Sequence, residues 1–460
     1  MEKIKGAYDF VLNYLTLVSH DGVEYDFSSH LIELTYNENI FSPTVYGHLS
    51  VIDTLDYASL LPIMGEERLR ASFTRPDEQS KTGKLLDPIK FDFAVYKMQG
   101  RLNQNFGSGK AQTYSLMYVS DDVYTNVGTK ICKKYSKMKY SDMVKKIHAE
   151  YLLPHGNSKL EVEETSGEYT YYAQFISPYD AIKTIALRSI SNQKNGFNYV
   201  FYRDRDGYKF KTISSMAKQD PYLSITYSPK SMPDDKLNEL YSVNAYTDDV
   251  SIDTLNAAAI GEAASTLLSV DPVRRKFYLK AFDLRGQAGF AKHKIPLLQN
   301  SDWKEFPHIE KHKNFLDSGR LFGDPRANMS MVITDFGHRD STYISERDAD
   351  IYQHDPEYYL LQTESHFKQI QSKILSVTLT GHPGVRAGSI INFALPEVVG
   401  RIGKRDKEEL DRYLQGRYIV THVTHIIKRN KYQMNLKIVK DSYFNQIKSR
   451  DPVKENQKVF

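Results

Sequence analysis

The chain is 460 residues long, a length that suits two to four domains, and its 40% hydrophobic and 26% charged content is that of an ordinary soluble globular protein. Its 61 basic and 57 acidic residues leave a net charge of only +4, so specific or general nucleic-acid binding, which needs a clustered cationic excess, is not expected. The single cysteine, Cys132, excludes an internal disulfide, and no run nears the roughly 20 apolar residues of a membrane helix, so neither membrane insertion nor an oxidising compartment is expected.

The N-terminus, with Asp9 and Asn13 breaking a strand-like stretch, lacks the apolar core of a signal peptide. With 33 Tyr against one Trp, the composition leans toward strands and half-wet contact surfaces. Strands are predicted from Phe10 to Val18, Leu31 to Tyr36, Val45 to Ile52, Leu69 to Thr74 and Ile89 to Met98. In the last, Phe91, Phe93 and Val95 alternate with Asp92, Ala94 and Tyr96, which gives one buried face. A small barrel or sandwich follows from such spacing.

Helices come next. Ser141 is read as the cap of a helix carrying Val144, Ile147, His148 and Tyr151. Ser177-Pro178-Tyr179-Asp180 is a stronger start, with a capping hydroxyl, Pro at the first helical position and an acid in the first turn. Tyr199 and Phe201 lead through Asp204-Arg205-Asp206-Gly207 into Tyr208 and Phe210, a hairpin with a charged turn. Beyond a strand near 240 and a short helix at Ser251 to Ile260, a second hairpin turns at Asp271-Pro272. Residues 285–355 read as long loops, and Asp355-Pro356 starts a helix with Leu360, Thr363, Phe367 and Ile370 on one face. Alternation returns at Leu375, Val377 and Leu379 and at Tyr432, Met434, Leu436 and Ile438. The order is β, then α/β, then β.

Motifs for chemistry are sparse. His422 and His425 form an H-x-x-H, but on an alternating strand a spacing of three sends them to opposite faces, which argues against chelation. His308 and His312 have helical spacing without an evident third ligand. Gly107-Ser108-Gly109 is turn chemistry, and Gly381-His382-Pro383-Gly384 lacks the Lys and Ser/Thr of a phosphate loop. Cys132, in Lys130-Ile131-Cys132-Lys133-Lys134, reads as a small residue on a basic, solvated helix face running on to Lys146. No catalytic, cofactor or metal site is expected.

The C-terminal strands carry a recognisable pattern. Leu379, Gly381, Pro383, Gly384, Gly388, Ile390 and Phe393 lead to Leu395-Pro396, and Gly416-Arg417-Tyr418-Ile419-Val420 and Val423-Thr424-His425 precede Tyr432-Gln433-Met434-Asn435-Leu436. With the hairpin from Ala264 to Tyr278 and the helix start from Phe175 to Ile182, this resembles the central hub proteins of contractile phage tail baseplates. That family includes the hub half of type VI secretion spike proteins. The resemblance implies a mainly β, α+β chain in which two related, tube-like β-barrels flank a mixed α/β middle, with long loops. It also implies a homotrimer whose partners are a central spike protein and tail tube or tube-initiator proteins, with the tape-measure protein and baseplate wedge nearby. Gly384 and Gly388 would permit a tight path between strands, Pro383 would block pairing at the corner, and Tyr418 and Val420 would fill a barrel or a subunit contact.

The expected units are an N-terminal barrel at 1–125, a mixed middle at 126–235, a hairpin, loops and helix at 236–370, barrel strands at 371–445 and a flexible tail at 446–460. The charged stretch Gly400 to Arg417 reads as a solvent-facing insertion, and the short tail leaves a β-helical spike to a separate chain. The alternative reading is a tail-associated glycan-binding or adhesion protein, since Tyr-rich β domains also bind sugars. Either would sit in the tail of a virion assembled in host cytoplasm.

Overall fold

The computed structural model describes residues 8–61, 63–76, 85–106, 109–153, 159–192, 196, 198–227, 241–250, 264–272, 275–283, 329–333, 356–371, 373–396, 410–411 and 413–441. The N-terminal unit contains β1 (Val11–Val18), β2 (Glu24–Asp26), β3 (Leu31–Asn39), β4 (Tyr46–Asp53), helix α1 (Tyr57–Leu60), β5 (Arg68–Thr74), β6 (Ile89–Phe106) and β7 (Gly109–Val119). Side chains alternate along each strand, so Leu15 and Leu17, Leu34 and Tyr36, Leu49 and Val51, and Leu116 and Tyr118 all turn into one core. Phe91, Phe93 and Val95 join them while Asp92 and Tyr96 face out.

The middle unit runs through α2 (Asp122–Gly128), β8 (Ile131–Met138), α3 (Tyr140–Ile147), β9 (Lys159–Val162), β10 (Tyr169–Ile176), α4 (Pro178–Arg188), β11 (Tyr199–Asp204), β12 (Gly207–Thr212) and α5 (Ile213–Ala217). Ser177 caps α4 as expected, its hydroxyl accepting the Asp180 N–H. Ser141 does not cap α3. The helix begins at Tyr140, and Ser141 gives its own N–H to the Thr165 hydroxyl, so a neighbouring segment satisfies that free donor. Cys132 lies on strand β8, not on a helix, exposed and opposite Gln174 of β10. Its buried neighbours Ile131 and Tyr135 are four apart, which mimics a helical face, but pairing with β10 decides the conformation.

Two further strands, β13 (Leu223–Tyr227) and β14 (Ser242–Val250), precede an excursion holding β15 (Ala264–Asp271), β16 (Lys276–Asp283), β17 (Met329–Ile333) and α6 (Pro356–Gln371). β17 corrects the expectation of loops through 285–355: Met329, Met331 and Ile333 alternate with Ser330 and Val332, and the strand pairs in parallel with β15. The rest of that stretch lies outside the described residues, as do the helix expected at 251–260, the insertion at 400–409 and the tail at 446–460. The chain closes with β18 (Lys373–Thr380), β19 (Ile390–Ala394), β20 (Gly416–Lys428) and β21 (Lys431–Lys440).

The chain is mostly β, and one continuous sheet of 13 strands links both ends. Its C-terminal part closes on itself in the order β13, β14, β18, β21, β20, β19, a six-stranded barrel around Ile225, Val377, Leu379, Phe393 and Tyr418. The N-terminal part runs β3, β4, β7, β6, β5, β1, with β2 added at its edge, and curls around its core without a hydrogen-bonded closure among the described residues. Labelling each set of six by chain order, both follow the cycle first, fourth, fifth, sixth, third, second. They differ in the first strand, which is antiparallel to the fourth in the N-terminal unit (β1 and β5) and parallel to it in the barrel (β13 and β19). Among the described residues no helix is long and apolar enough to cross a membrane.

β20 is shared by both units. β21 lies along one side of it, whereas on the other side Phe393 to Ile390 pair with its first residues and Asn39 to Glu33 with its last seven. Tyr418, Val420 and Val423 therefore fill the barrel, while Ile427 fills the N-terminal core. Truncating Ile427 to Ala should cost about 2–5 kcal/mol as a core cavity. Because the strand is common, hydrogen exchange should also show faster opening of β18 and β21; a loss of protection confined to β3, β4 and β7 would contradict this sharing.

Candidate functional site at the barrel junction

β18 ends at Thr380, and residues 381–389 carry the chain across the barrel end to β19. Gly381 lies flat on the Tyr432 ring and donates its N–H to the Tyr432 carbonyl (3.1 Å); a Cβ here would come within 2.3 Å of the ring carbons. At Gly384 a Cβ would meet the Tyr222 hydroxyl. Gly388 has φ +86°, which side chains disfavour, and donates to the Val420 carbonyl at 2.8 Å. In return Val420 donates to Ser389 at 2.9 Å. The sequence-selected residues thus divide into a glycine-rich crossing, two barrel-filling side chains (Tyr418 and Val420), and a buried pair in which the Tyr432 hydroxyl and His425 Nδ1 are 2.9 Å apart.

Three charged side chains from the other two units converge on this crossing. Arg75, at the end of β5, donates to the Gly381 carbonyl at 2.9 Å. Arg205, in the β11–β12 turn, donates to the Pro383 carbonyl at 2.7 Å. Glu38, on β3, accepts the Arg205 N–H at Oε1 and the Ala387 N–H at Oε2, both at 3.0 Å, and the Tyr36 hydroxyl at 3.2 Å. At the rim, Arg386 pairs with Asp206. The crossing thereby fastens the barrel to the N-terminal unit and to the middle unit at once.

Burial pushes the Glu38 carboxyl up to about 7, with the charge of Asp204 adding to it and the two backbone donors and Arg205 working against it. His425 moves the opposite way. Burial, with Arg205 and His382 adding, lowers it to about 3, so it sits neutral beside Tyr432. His422, on the other face of β20, lines a surface groove instead, so the two histidines do not meet. Among the described residues no group of three or more His, Cys, Asp or Glu side chains is placed to hold a metal ion, and His308 and His312 lie outside those residues. Arg75, Arg205 and Glu38 meet the carbonyls of Gly381 and Pro383 and the N–H of Ala387, so the arrangement fixes three chain segments to one another.

Glu38, Arg75 and Arg205 were not singled out from sequence. A signal existed for one: Leu34, Tyr36, Glu38 and Ile40 follow a two-residue period, so an acid falls on a face otherwise buried and apolar. Arg75 and Gly381 are 306 positions apart, and no local pattern links them.

No protein-family profile matches the chain, and no curated protein matches it. Among solved structures, a tail protein from Neisseria meningitidis MC58 aligns over 94% of this chain and 97% of its own, with 10% identity and a TM-score of 0.52. The two chains share a fold. A 43 kDa tail protein of prophage MuSo2 from Shewanella oneidensis covers 93% of this chain and 98% of its own at 9% identity and a TM-score of 0.49. A prophage tail protein from Listeria monocytogenes EGD-e covers 95% and 96%, at 9% identity and 0.43.

Two substitutions test the junction. Glu38→Ala orphans two buried N–H groups and should destabilise by about 3 kcal/mol in urea unfolding, given about 1–3 kcal/mol per unsatisfied group; a change below about 0.5 kcal/mol, the usual size of a surface effect, would refute the role. His425 is held below its unfolded value of about 6.5, so it contributes stability above that pH that is lost as pH falls toward 3. The advantage of wild type over His425→Leu should shrink by about 1.4 kcal/mol per pH unit below 6.5. Comparing the two proteins removes the opposite trend of Glu38, whose contribution is present below its unfolded value and lost as pH rises through about 7. A pH-independent gap would contradict the neutral buried imidazole.

Proposed function

We propose that this chain is the structural hub of a contractile-tail baseplate in a phage virion, a homotrimeric ring that joins a central spike protein to the tail tube. The observation that carries the reading is the repeated strand order. One chain offers two β units of like cyclic order, joined by a single sheet, so three chains offer six like units. Such a ring presents threefold symmetry to a spike and near-sixfold symmetry to a tube, and its heterologous contacts close instead of propagating. The likeness of fold to the Neisseria tail protein supports a place in a tail. The motif at Gly381, Pro383, Gly384 and Gly388 serves assembly in this reading by keeping the barrel end at a fixed angle to its neighbours.

The part is structural and not enzymatic. Its partners are the spike, a tube or tube-initiator protein and, more peripherally, the tape-measure protein and baseplate wedge, and assembly takes place in the host cytoplasm before genome ejection is possible. Multi-angle light scattering of the full chain, alone and mixed with the spike-like protein of the same phage, should give three copies per particle. A monomer under both conditions would sink the proposal.

A further inference from the structure

Among the described residues, the sheet β16–β15–β17 is covered on one side only. Leu267, Phe282 and Val332 lie on the side against which Tyr359 and Leu361 of α6 pack. On the other side, cross-strand partners line up in apolar rows, Phe277 with Val270 and Ile333, then Leu279 with Leu268 and Met331. Phe277, Leu279, Met331 and Ile333, with Met329 beside them, are 51–75% exposed. A free side chain of this size offers on the order of 170 Å². These five therefore leave roughly 500–600 Å² of contiguous apolar surface, the upper end for the largest patch on a monomer.

A standard interface takes about 800 Å² from each partner, and this patch alone supplies most of that. No charged side chain falls in either row. Permanent interfaces between identical chains are richer in apolar area than transient ones, which keep the polarity of ordinary surface. We infer that this face is a contact between copies of this chain. The inference rests on the ring reading and adds to it the surface that holds neighbouring copies together, away from the barrel junction.

The test uses the full chain. Leu279→Glu combined with Met331→Glu places two acids on side chains that are already exposed, so folding, checked by circular dichroism and melting, should be unaffected. Light scattering should find wild type trimeric and the double variant monomeric at the same concentration. A double variant that stays trimeric overturns the inference and leaves the ring reading standing, whereas a wild type that is monomeric with and without the spike overturns both. Should the double variant fold poorly, a photoreactive benzoylphenylalanine in place of Leu279 gives an independent answer. Irradiation should then yield covalent dimers and trimers of the chain itself. Cross-links formed only to the spike, or none, reject a second copy as the occupant.

Discussion

The backbone pairing of β20 is the constraint from which the rest follows. A central strand must satisfy donors and acceptors on both sides, and β20 does so with three neighbours. Its register slips between Val420 and His422, where it leaves β19 for β3. At that step Ile40 donates to the Thr421 carbonyl and Gly388 to the Val420 carbonyl, so the change of partner leaves neither carbonyl unmet. One strand thereby belongs to a closed barrel at its start and to a curled open sheet at its end. The two cores are separate in side chains and joined through the ladder.

Such a join leaves a wedge between two curved surfaces, and the buried junction fills it. Apolar side chains could fill the space but could not satisfy the carbonyls of Gly381 and Pro383 or the N–H of Ala387, which a turning chain leaves free. Long arginines can reach those carbonyls, and a carboxylate can take two N–H groups at once. The cost is desolvation, visible in the displaced titrations of Glu38 and His425, and a buried network of this kind favours one arrangement only while every member is paired. Removing a residue here therefore affects three units at once.

Legibility in the sequence followed the range of the interaction. The alternation in β6, the Ser177 cap and the hairpins at 199–212 and 264–283 are short-range, and each stands as the local pattern indicates. The glycine crossing was visible too, because Gly381 and Gly388 report close approach and positive φ by their identity alone. β8 was misread because Ile131 and Tyr135 have the spacing of a helix face, and only β10 makes it a strand. β17 was hidden by polar surroundings and by the distance to its partner β15. The convergence of Arg75, Arg205 and Glu38 depends on how three units pack, which no local pattern encodes.

In the proposed hub, two like units in one chain, repeated three times around an axis, make six. Cryo-electron microscopy of the purified full chain tests it most directly. The account predicts a closed ring of three chains with six barrel-like units in one layer, alternating between the N-terminal and C-terminal kinds. A particle in which one kind of unit surrounds the axis while the other projects outward would contradict it.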